Sequence, residues 1–285
     1  MKNDADLVKN EYPPFSVAMS VYKNDNPIFF DRALQSIMEN QKVMPTEIVI
    51  IVDGPVDEKI DAVIEKYSEK YGNLNVIRLD KNAGLGNALK LAIENAKYEL
   101  IARMDSDDVS APNRFEQQLE IMTKNSAVDI VGGDISEFIG DENNIVAKRK
   151  VPILDKEIKE YLKTRCPFNH MTVMYKRSAV LKSGNYIDLF YNEDYWLWIR
   201  MVENNCIMAN TGTILVNARV GEDMYKRRGG KQYFNSEMFL QKYMLKNGII
   251  NLPTFVLNSS KRFVVQMLLP NAIREWVFKT FARTK

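Results

Sequence analysis

Apolar runs of strand length alternate with segments of helical periodicity through the first hundred residues. The runs occupy residues 15–21, 47–52, 74–79 and 100–104. Between them, apolar residues recur at helical spacing over 27–38, 56–71 and 86–96. Strands that alternate with helices predict a parallel sheet, and because helices cover both faces, the strands can be apolar throughout. The pattern predicts an α/β fold with a Rossmann-like, mostly parallel central sheet flanked by helices.

The pattern changes after residue 108. Helices are predicted over 114–124 and 155–164, and strands over 128–131 and 136–139 on either side of Gly132 and Gly133. The charged segment 141–150 is typical of a solvated hairpin, and we assign it no chemical role. No repeat or low-complexity linker interrupts the chain. This organisation favours one domain over residues 1–230 and a C-terminal helical extension over residues 231–285.

Carboxylates follow two of the predicted strands. Asp53 ends the second strand, and Asp105, Asp107 and Asp108 follow the fourth. Ligands of parallel α/β sheets bind at the carboxyl ends of the strands, so both positions are candidates for a site. Clustered carboxylates repel one another unless a cation compensates them, and hard oxygen ligands suit Mg²⁺ or Mn²⁺ bound to phosphates. We therefore predict a metal–diphosphate site at Asp105 and Asp107.

Two other interpretations of this acidic stretch were compared. Asp and Ser cap helices well, so the cluster could simply open a helix whose first turn holds Pro112. A calcium loop would place Asp105, Asp107 and Glu116 at loop positions 1, 3 and 12. Its sixth position would require glycine but is Ser110, and a strand precedes the cluster where that loop needs a helix.

Dinucleotide binding is the main rival function for this order of elements. The glycine pair Gly84 and Gly86 is followed by Leu89, where the dinucleotide fingerprint needs a third glycine. The pair also follows the third strand instead of the first. A phosphate loop ending in Gly-Lys-Ser/Thr is absent from the sequence. The sequence therefore disfavours a dehydrogenase of the Rossmann type.

Composition narrows the class of protein further. Charged residues make up 27% and hydrophobic residues 46% of the 285 residues, and a net charge of +2 gives no indication of nucleic-acid binding. Two cysteines and one histidine exclude the usual Cys/His zinc site, and reduced thiols are the simpler expectation. The first residues are acidic, unlike a signal peptide, and no apolar run approaches the roughly 20 residues of a membrane span. We expect a cytoplasmic protein.

Residues 101–108 (IARMDSDD) resemble the Asp-x-Asp region of family 2 glycosyltransferases. Pro112, Arg114 and Gln118 extend the match, which covers roughly residues 13–230 and is typical of capsule and exopolysaccharide members. The resemblance implies the GT-A fold, a nucleotide-sugar half over about 13–110 and an acceptor half over about 111–230. It also implies Asp105 and Asp107 as ligands of Mn²⁺ or Mg²⁺, with Arg103 and Asp108 close to donor and acceptor.

The resemblance assigns the nucleotide to the ends of the first strands. Asp53 would accept a hydrogen bond from the uracil N–H, since the uracil edge offers one donor between two carbonyls. The loop with Asn82 and Gly84 would lie beneath base and ribose, and Val21 and Tyr22 would complete the nucleotide site. The alternative is that Asp53 and the glycines only serve their turns.

A second set of candidate residues lies beyond residue 165. Glu193 and Asp194 open an amphipathic helix, where acids also stabilise the helix dipole by about 0.3–1 kcal/mol. The resemblance makes Asp194 the general base of an inverting transfer, with Glu193 beside the acceptor. His170 would face sugar and acceptor, although a single histidine among apolar residues is often structural. Arg227 and Arg228 lie in a basic, glycine-containing loop that would close over the diphosphate, unless it is only a solvated charge run.

These assignments predict an inverting, metal-dependent transfer of a hexose from a UDP-sugar to a saccharide acceptor, with a lipid-linked acceptor implied by the capsule-type resemblance. A non-catalytic nucleotide-sugar binding module is the alternative from another class, but it has no need of Glu193 and Asp194. A hydrolytic glycosidase also uses two acids but needs neither a metal site nor a basic loop.

The C-terminal segment 262–285 has the pattern of a basic amphipathic helix. Ile273, Trp276, Val277 and Phe281 share one side, and the chain from residue 251 onward has six Lys or Arg against one acid. Such a helix can lie in a membrane interface and be attracted to anionic lipid. The predicted location is then the inner face of the plasma membrane. The same apolar side could instead pack on the catalytic domain or on a second subunit of a homodimer.

Overall fold

The computed structural model describes residues 12–221, 229–270 and 273, and its first half follows the predicted alternation. The elements in chain order are β1 (Phe15–Val21), α1 (Pro27–Met38), β2 (Glu47–Val52), α2 (Glu58–Tyr71), β3 (Leu74–Arg78), α3 (Leu85–Asn95) and β4 (Leu100–Arg103). The second helix was predicted to begin at Val56. It begins at Glu58 because the Asp57 carboxylate caps it, accepting a hydrogen bond of 2.8 Å from the Lys59 N–H.

The second half adds mixed elements. They are β5 (Val109–Ser110), α4 (Arg114–Lys124), β6 (Val128–Phe138), β7 (Ile145–Arg149), α5 (Asp155–Leu162), a 3₁₀ turn (His170–Thr172), β8 (Met174–Lys176), α6 (Arg177–Lys182), α7 (Glu193–Glu203), β9 (Ile207–Arg219), α8 (Lys231–Lys246), α9 (Leu252–Phe263) and a π-helical turn (Val264–Leu268). The helix at 114–124 and the hairpin at 141–150 are confirmed.

The prediction of two strands around Gly132 and Gly133 was wrong, because β6 runs through both glycines without interruption. A Cβ on Gly132 would lie 2.6 Å from the Phe168 ring, and one on Gly133 would lie 2.6 Å from the Leu215 side chain. The glycines therefore let neighbouring side chains approach the middle of a long strand, and they do not mark a turn.

The strands of the described residues form one nine-stranded sheet in the order β3-β2-β1-β4-β8-β6-β9-β5, with β7 paired to β6. The sheet is parallel from β3 to β4, and β8 then pairs antiparallel with both β4 and β6. Val21 lies opposite Val52, and Ala18 lies opposite Arg103. This register brings the carboxyl ends of β1, β2 and β4 to one edge, as the sequence predicts.

Apolar residues fill both faces of the sheet. Ala18, Val49 and Ile101 point to one side, where α3 and α7 pack, and Val17 and Ile48 point to the other side, where α1, α2 and α4 pack. Alternate residues of each strand therefore enter different cores, which explains why the strands are apolar without alternation. The α/β prediction is confirmed. The division at residue 230 stays a prediction.

The two C-terminal helices meet through polar contacts. Asn258 of α9 is buried, and its amide donates to the Gln241 side chain and to the Lys163 carbonyl at 2.9 Å each. Arg262 pairs with Glu237 of α8. The opposite side of α9 and its π-helical turn presents exposed apolar residues, namely Leu252, Val256, Leu257, Phe263, Val264, Met267 and Leu268. This helix therefore buries its polar side and exposes its apolar side.

Helices long and apolar enough to cross a bilayer do not occur in the part of the chain that the structure describes. The predicted amphipathic segment 262–285 lies largely outside the described residues.

Candidate functional site

The carboxylate of Asp53 joins the end of β2 to the loop before α3. Its oxygens accept hydrogen bonds from the Asn82 side chain (2.8 Å), the Ala83 N–H (2.6 Å) and the Gly84 N–H (3.1 Å). Asp53 is only 4% exposed. It therefore fixes the loop that also carries Asn82 and Gly84, and its contact with a uracil ring stays a prediction. Val21 ends β1 and the exposed Tyr22 follows it at the same edge.

Two glycines of this loop allow a second segment to pack against the start of α3. Gly84 has φ +88°, a conformation that favours glycine, and a Cβ on Gly86 would lie 2.6 Å from the Ile187 carbonyl oxygen. The segment containing Ile187 leads directly into Glu193 and Asp194. The glycines therefore let the loop before α3 pack against the segment that leads to the acid pair.

The carboxylate cluster after β4 contains one more member than predicted. Asp25, in the loop after β1, accepts hydrogen bonds from the Ser106 hydroxyl (2.9 Å) and the Tyr22 N–H (3.1 Å). Burial and the nearby charge of Asp105 raise the pKa of Asp25 to about 6. Asp107 is exposed as a residue, but burial of its carboxyl group and the charges of Asp105 and Asp25 raise its pKa to about 6 as well.

Asp108 points inward from this cluster. It is 3% exposed and accepts a hydrogen bond of 2.8 Å from the Arg219 N–H at the end of β9. Burial, then Asp105 and Asp107, raise the pKa of Asp108 well above its usual range. This hydrogen bond tethers β9 to the cluster and gives Asp108 a structural role. The contact of Asp108 with donor or acceptor stays a prediction.

The predicted cation fits the donors in this cluster, since carboxylates that raise one another's pKa are stabilised by positive charge. Within residues 12–221 and 229–270, no three His, Cys, Asp or Glu side chains are already gathered into a ligand set. Mg²⁺ and Mn²⁺ sites of nucleotide enzymes commonly use one or two carboxylates and complete their coordination with phosphate and water. Asp105 and Asp107 are therefore suitable as such a partial ligand set.

Arg103 interacts with this cluster and acts electrostatically on the second acid pair. The residue is only 2% exposed, and one end of its guanidinium pairs with Asp105. Its Nε and Nη1 atoms have no hydrogen-bond partner among the described residues. Burial raises the pKa of Glu193 and of Asp194, and the positive charge of Arg103 opposes that rise in both residues. One buried cation therefore acts on both groups of acids.

Glu193 and Asp194 form the first turn of α7. Asp194 accepts a hydrogen bond of 2.7 Å from the Tyr195 N–H, and its other oxygen lies 3.5 Å from the Cys166 sulfur. Burial raises the pKa of Asp194, and burial together with the Asp194 charge raises the pKa of Glu193 to about 7. A carboxylate whose pKa is raised by burial is a stronger base than a free one, which makes Asp194 suitable as a base.

His170 belongs to a cluster of aromatic rings. Its Nε2 atom lies 2.9 Å from the Tyr186 hydroxyl, and its ring contacts those of Tyr186 and Trp198. Burial, with a smaller effect of Arg103, lowers the pKa of His170 well below its usual range. The imidazole is therefore neutral and has a structural partner, and its predicted contact with substrate remains untested.

Arg149, at the end of segment 141–150, has a structural role that the sequence analysis did not predict. Its guanidinium donates to the Cys166 carbonyl at 2.7 Å and to the Asn169 side chain at 2.8 Å. It thereby fixes the loop beside Asp194, and its charge lowers the pKa of Asp194. Sequence reasoning missed it because a charged edge strand offers no local sign of what its side chains reach.

Asp25 had a usable sequence signal, because its polar loop follows the first strand and therefore opens at the same sheet edge. Cys166 had no such signal in the sequence, since its contact with Asp194 joins residues far apart in the chain. Arg227 and Arg228 lie outside the described residues.

The chain was compared with known proteins. The family described as "Glycosyl transferase family 2" matches residues 16–184. UDP-Gal:alpha-D-GlcNAc-diphosphoundecaprenol beta-1,3-galactosyltransferase of Escherichia coli is 36% identical over 276 residues, which are 97% of this chain and 99% of that protein.

Two solved structures have a similar fold. Residues 1–349 of S. aureus TarS in complex with UDP-GlcNAc align with a TM-score of 0.65 and 18% identity, covering 88% of this chain and 73% of that one. Mannosyltransferase PcManGT from Pyrobaculum calidifontis, in complex with GDP-Man and Mn²⁺, aligns with a TM-score of 0.60 and 13% identity, covering 93% and 73%. At these identities the likeness shows the fold alone.

The raised pKa of Glu193 predicts a pH-dependent loss of stability. Between its ordinary value of 4.5 and about 7, the unfolded chain releases this proton while the folded chain keeps it, so rising pH favours unfolding. Glu193→Gln should remove this effect. From pH 5 to 7.5 the free energy of unfolding of the wild type should fall by about 1–2 kcal/mol more than that of the variant. Urea titrations measure the free energy of unfolding, and Glu69→Gln, at an exposed position of α2, is the control. Equal pH dependence in all three proteins contradicts the raised pKa of Glu193.

Proposed function

The chain belongs to glycosyl transferase family 2, and we propose that it transfers a hexose from a UDP-sugar to a saccharide hydroxyl with inversion at the anomeric carbon. The observation that carries the proposal is that buried Arg103 pairs with Asp105 of one acid group and acts electrostatically on both members of the other. One group follows β4 at the edge where nucleotides bind in such sheets. The other group, Glu193 and Asp194, has the raised pKa values of a proton-accepting site.

On the donor side, we propose that Asp53, Asn82, Gly84, Val21 and Tyr22 line the nucleotide site. Asp105 and Asp107 would hold Mn²⁺ or Mg²⁺, which when bound supplies positive charge to the diphosphate leaving group. Arg103 would add a second positive charge to the site, since the Nε and Nη1 atoms of its guanidinium have no hydrogen-bond partner among the described residues. The two cationic groups compensate acids that otherwise repel a diphosphate.

On the acceptor side, Asp194 takes the proton of the attacking hydroxyl. The hydroxyl oxygen forms a bond to the anomeric carbon as the bond from that carbon to UDP breaks, which inverts the configuration. Burial raises the pKa of Asp194 and so improves it as a base, while Arg103 and Arg149 keep its ionised form accessible. Glu193, Asp108 and His170 are assigned to contacts with donor or acceptor, and Arg227 and Arg228 to the diphosphate.

The acceptor is proposed to be a lipid-linked saccharide. The Escherichia coli relative is named for a diphosphoundecaprenol acceptor, and it matches almost the whole chain. The exposed apolar side of α9 supports a peripheral contact with the membrane that holds such an acceptor. Lys261 is exposed on the same helix, and the sequence from residue 251 is strongly basic, which suits anionic lipid. Packing against a second copy is the competing use of this side.

A non-catalytic nucleotide-sugar binding module would use the same donor residues. It gives no reason for the partly buried carboxylate pair at the start of α7, because withdrawing charged groups from water costs free energy and acids perturbed in this way cluster at functional sites. We therefore favour the enzyme.

Divalent metal should be required for UDP binding. Asp105 and Asp107 would repel the diphosphate without a cation, so we expect at least roughly tenfold weaker UDP binding in chelator than in Mn²⁺, a loss of about 1.4 kcal/mol. Isothermal titration calorimetry measures this directly. Uridine, which lacks the diphosphate, is the control and should show no such metal dependence. Equal UDP affinity with and without metal rejects the metal assignment.

Asp194→Asn should separate binding from catalysis. The substitution is nearly isosteric and leaves the donor site intact, so UDP affinity should be kept while transfer falls on the order of 10²-fold or more. Asp107→Asn should weaken both. The assay is release of UDP from UDP-galactose, UDP-glucose or UDP-GlcNAc, or of GDP from GDP-mannose, in the presence of a GlcNAc-diphospho-lipid.

Asp141→Asn, in the exposed hairpin, is the matched control and should behave as wild type. If no donor is turned over by the wild type, the proposed reaction is wrong. If Asp194→Asn turns over normally, only the identity of the base is wrong.

The apolar side of α9 should carry membrane binding. Val256→Glu and Leu268→Glu place charge on that side and should abolish co-sedimentation with anionic liposomes. The control is Ile28→Glu, at an exposed position of α1, which should not change co-sedimentation. Binding should weaken at high salt and with neutral lipid, because the electrostatic part is screened. A wild type that ignores liposomes but dimerises through this side in analytical ultracentrifugation contradicts the membrane proposal.

A further inference from the structure

Within the described residues, Cys166 supplies the only side-chain hydrogen bond to Asp194 from outside α7. Its sulfur lies 3.5 Å from Asp194 Oδ2. Asp194 Oδ1 is held separately by the Tyr195 N–H. The orientation of the carboxylate therefore depends on one backbone donor of its own helix and one thiol from a different part of the chain.

The same thiol has a second acceptor. The Cys166 sulfur also lies 3.5 Å from the Phe168 carbonyl oxygen. A thiol has one hydrogen to donate, so it can serve only one of the two oxygens at a time. An ionised carboxylate is the stronger acceptor, whereas a protonated Asp194 would compete less for that hydrogen.

The backbone around Cys166 is fixed firmly enough for this geometry to persist. Arg149 donates to the Cys166 carbonyl at 2.7 Å, to the Asn169 side chain at 2.8 Å and to the Phe168 carbonyl at 3.3 Å. Asn169 is buried and donates to the Gly133 carbonyl of β6 at 2.8 Å. The thiol is thus held beside Asp194 by a loop that is anchored to the central sheet.

We propose that Cys166 is a positioning residue for the base: its S–H donates to Asp194 while the carboxylate is ionised and turns to the Phe168 carbonyl once Asp194 has taken the acceptor proton. The inference rests on the proposed role of Asp194 as base. No proton is gained or lost by the thiol, because only the direction of the S–H bond changes. The reorientation prevents the new carboxylic O–H from meeting an opposing donor.

The surrounding charges keep the thiol in the form that this role requires. Burial, then the charge of Asp194, raise the pKa of Cys166 well above its usual value, so the sulfur carries its hydrogen at neutral pH. The titratable and charged groups that act on Asp194 and Cys166 are Glu193, Arg103, Arg149 and Tyr186. Cys206, the other cysteine, is buried elsewhere and offers a matched internal control.

The contact can be tested without any activity assay. Alkylation of Cys166 by iodoacetamide is followed by peptide mass spectrometry from pH 7 to 10 in the wild type and in Asp194→Asn. Removing the neighbouring charge should lower the apparent pKa of the Cys166 thiol and raise its alkylation rate at pH 8 roughly threefold to tenfold. Cys206 should react identically in both proteins. An unchanged Cys166 profile overturns the contact, whatever reaction the protein performs.

The positioning role is tested by the pH profile of kcat with the donor identified in the release assay. Cys166→Ala removes a hydrogen bond to the ionised base, so kcat should fall about threefold to tenfold and its acid limb should move to higher pH. Cys166→Ser supplies a hydroxyl donor and should restore both values. The KM for the donor should stay within about twofold of wild type in each variant, since the donor site is untouched.

Thermal unfolding of each variant separates positioning from general destabilisation. Cys206→Ala should lower the melting temperature and leave the pH profile of kcat in place. If Cys166→Ala and Cys166→Ser behave alike with an unmoved acid limb, the thiol is only a packing residue. If the wild type shows no transfer while the alkylation result holds, the proposed reaction fails and the contact stands.

Discussion

The burial of one arginine among carboxylates is the constraint around which the site is built. Arg103 is 2% exposed, pairs with Asp105 and acts electrostatically on Glu193 and Asp194. A buried cation without anions nearby would be strongly unfavourable, and buried acids without it would lose their charge. A single guanidinium therefore compensates part of the negative charge of both groups of acids.

The reversal of strand direction at β8 brings these acids together. The parallel part of the sheet delivers the ends of β1, β2 and β4 to one edge, and β8 then runs antiparallel beside β4. The chain before β8 consequently reaches the same edge, carrying Cys166 and His170 with it. The glycines at 84 and 86 complete the arrangement, because they let the segment before α7 approach the start of α3.

The C-terminal helices pack through polar contacts, unlike the helices that cover the central sheet. Most amphipathic helices bury their apolar side, but α9 buries Asn258 and pairs Arg262 with Glu237, and the π-helical turn after it buries Gln266. Polar contacts between two helices contribute modest free energy individually, so the arrangement leaves a large apolar side available. The proposed membrane contact would use this side.

The sequence alone determined the alternation of strands and helices and the acids at the strand ends, because apolar periodicity and residue chemistry are local properties. It also indicated the family and the candidate residues Asp53, Asp105, Asp107 and Asp194. Only the tertiary structure decided that β6 passes straight through its two glycines, since Phe168 and Leu215 approach from distant segments. The contacts of Arg149 and Cys166 around Asp194 were likewise decided by the fold, because hydrogen bonds between residues far apart leave no pattern in the chain.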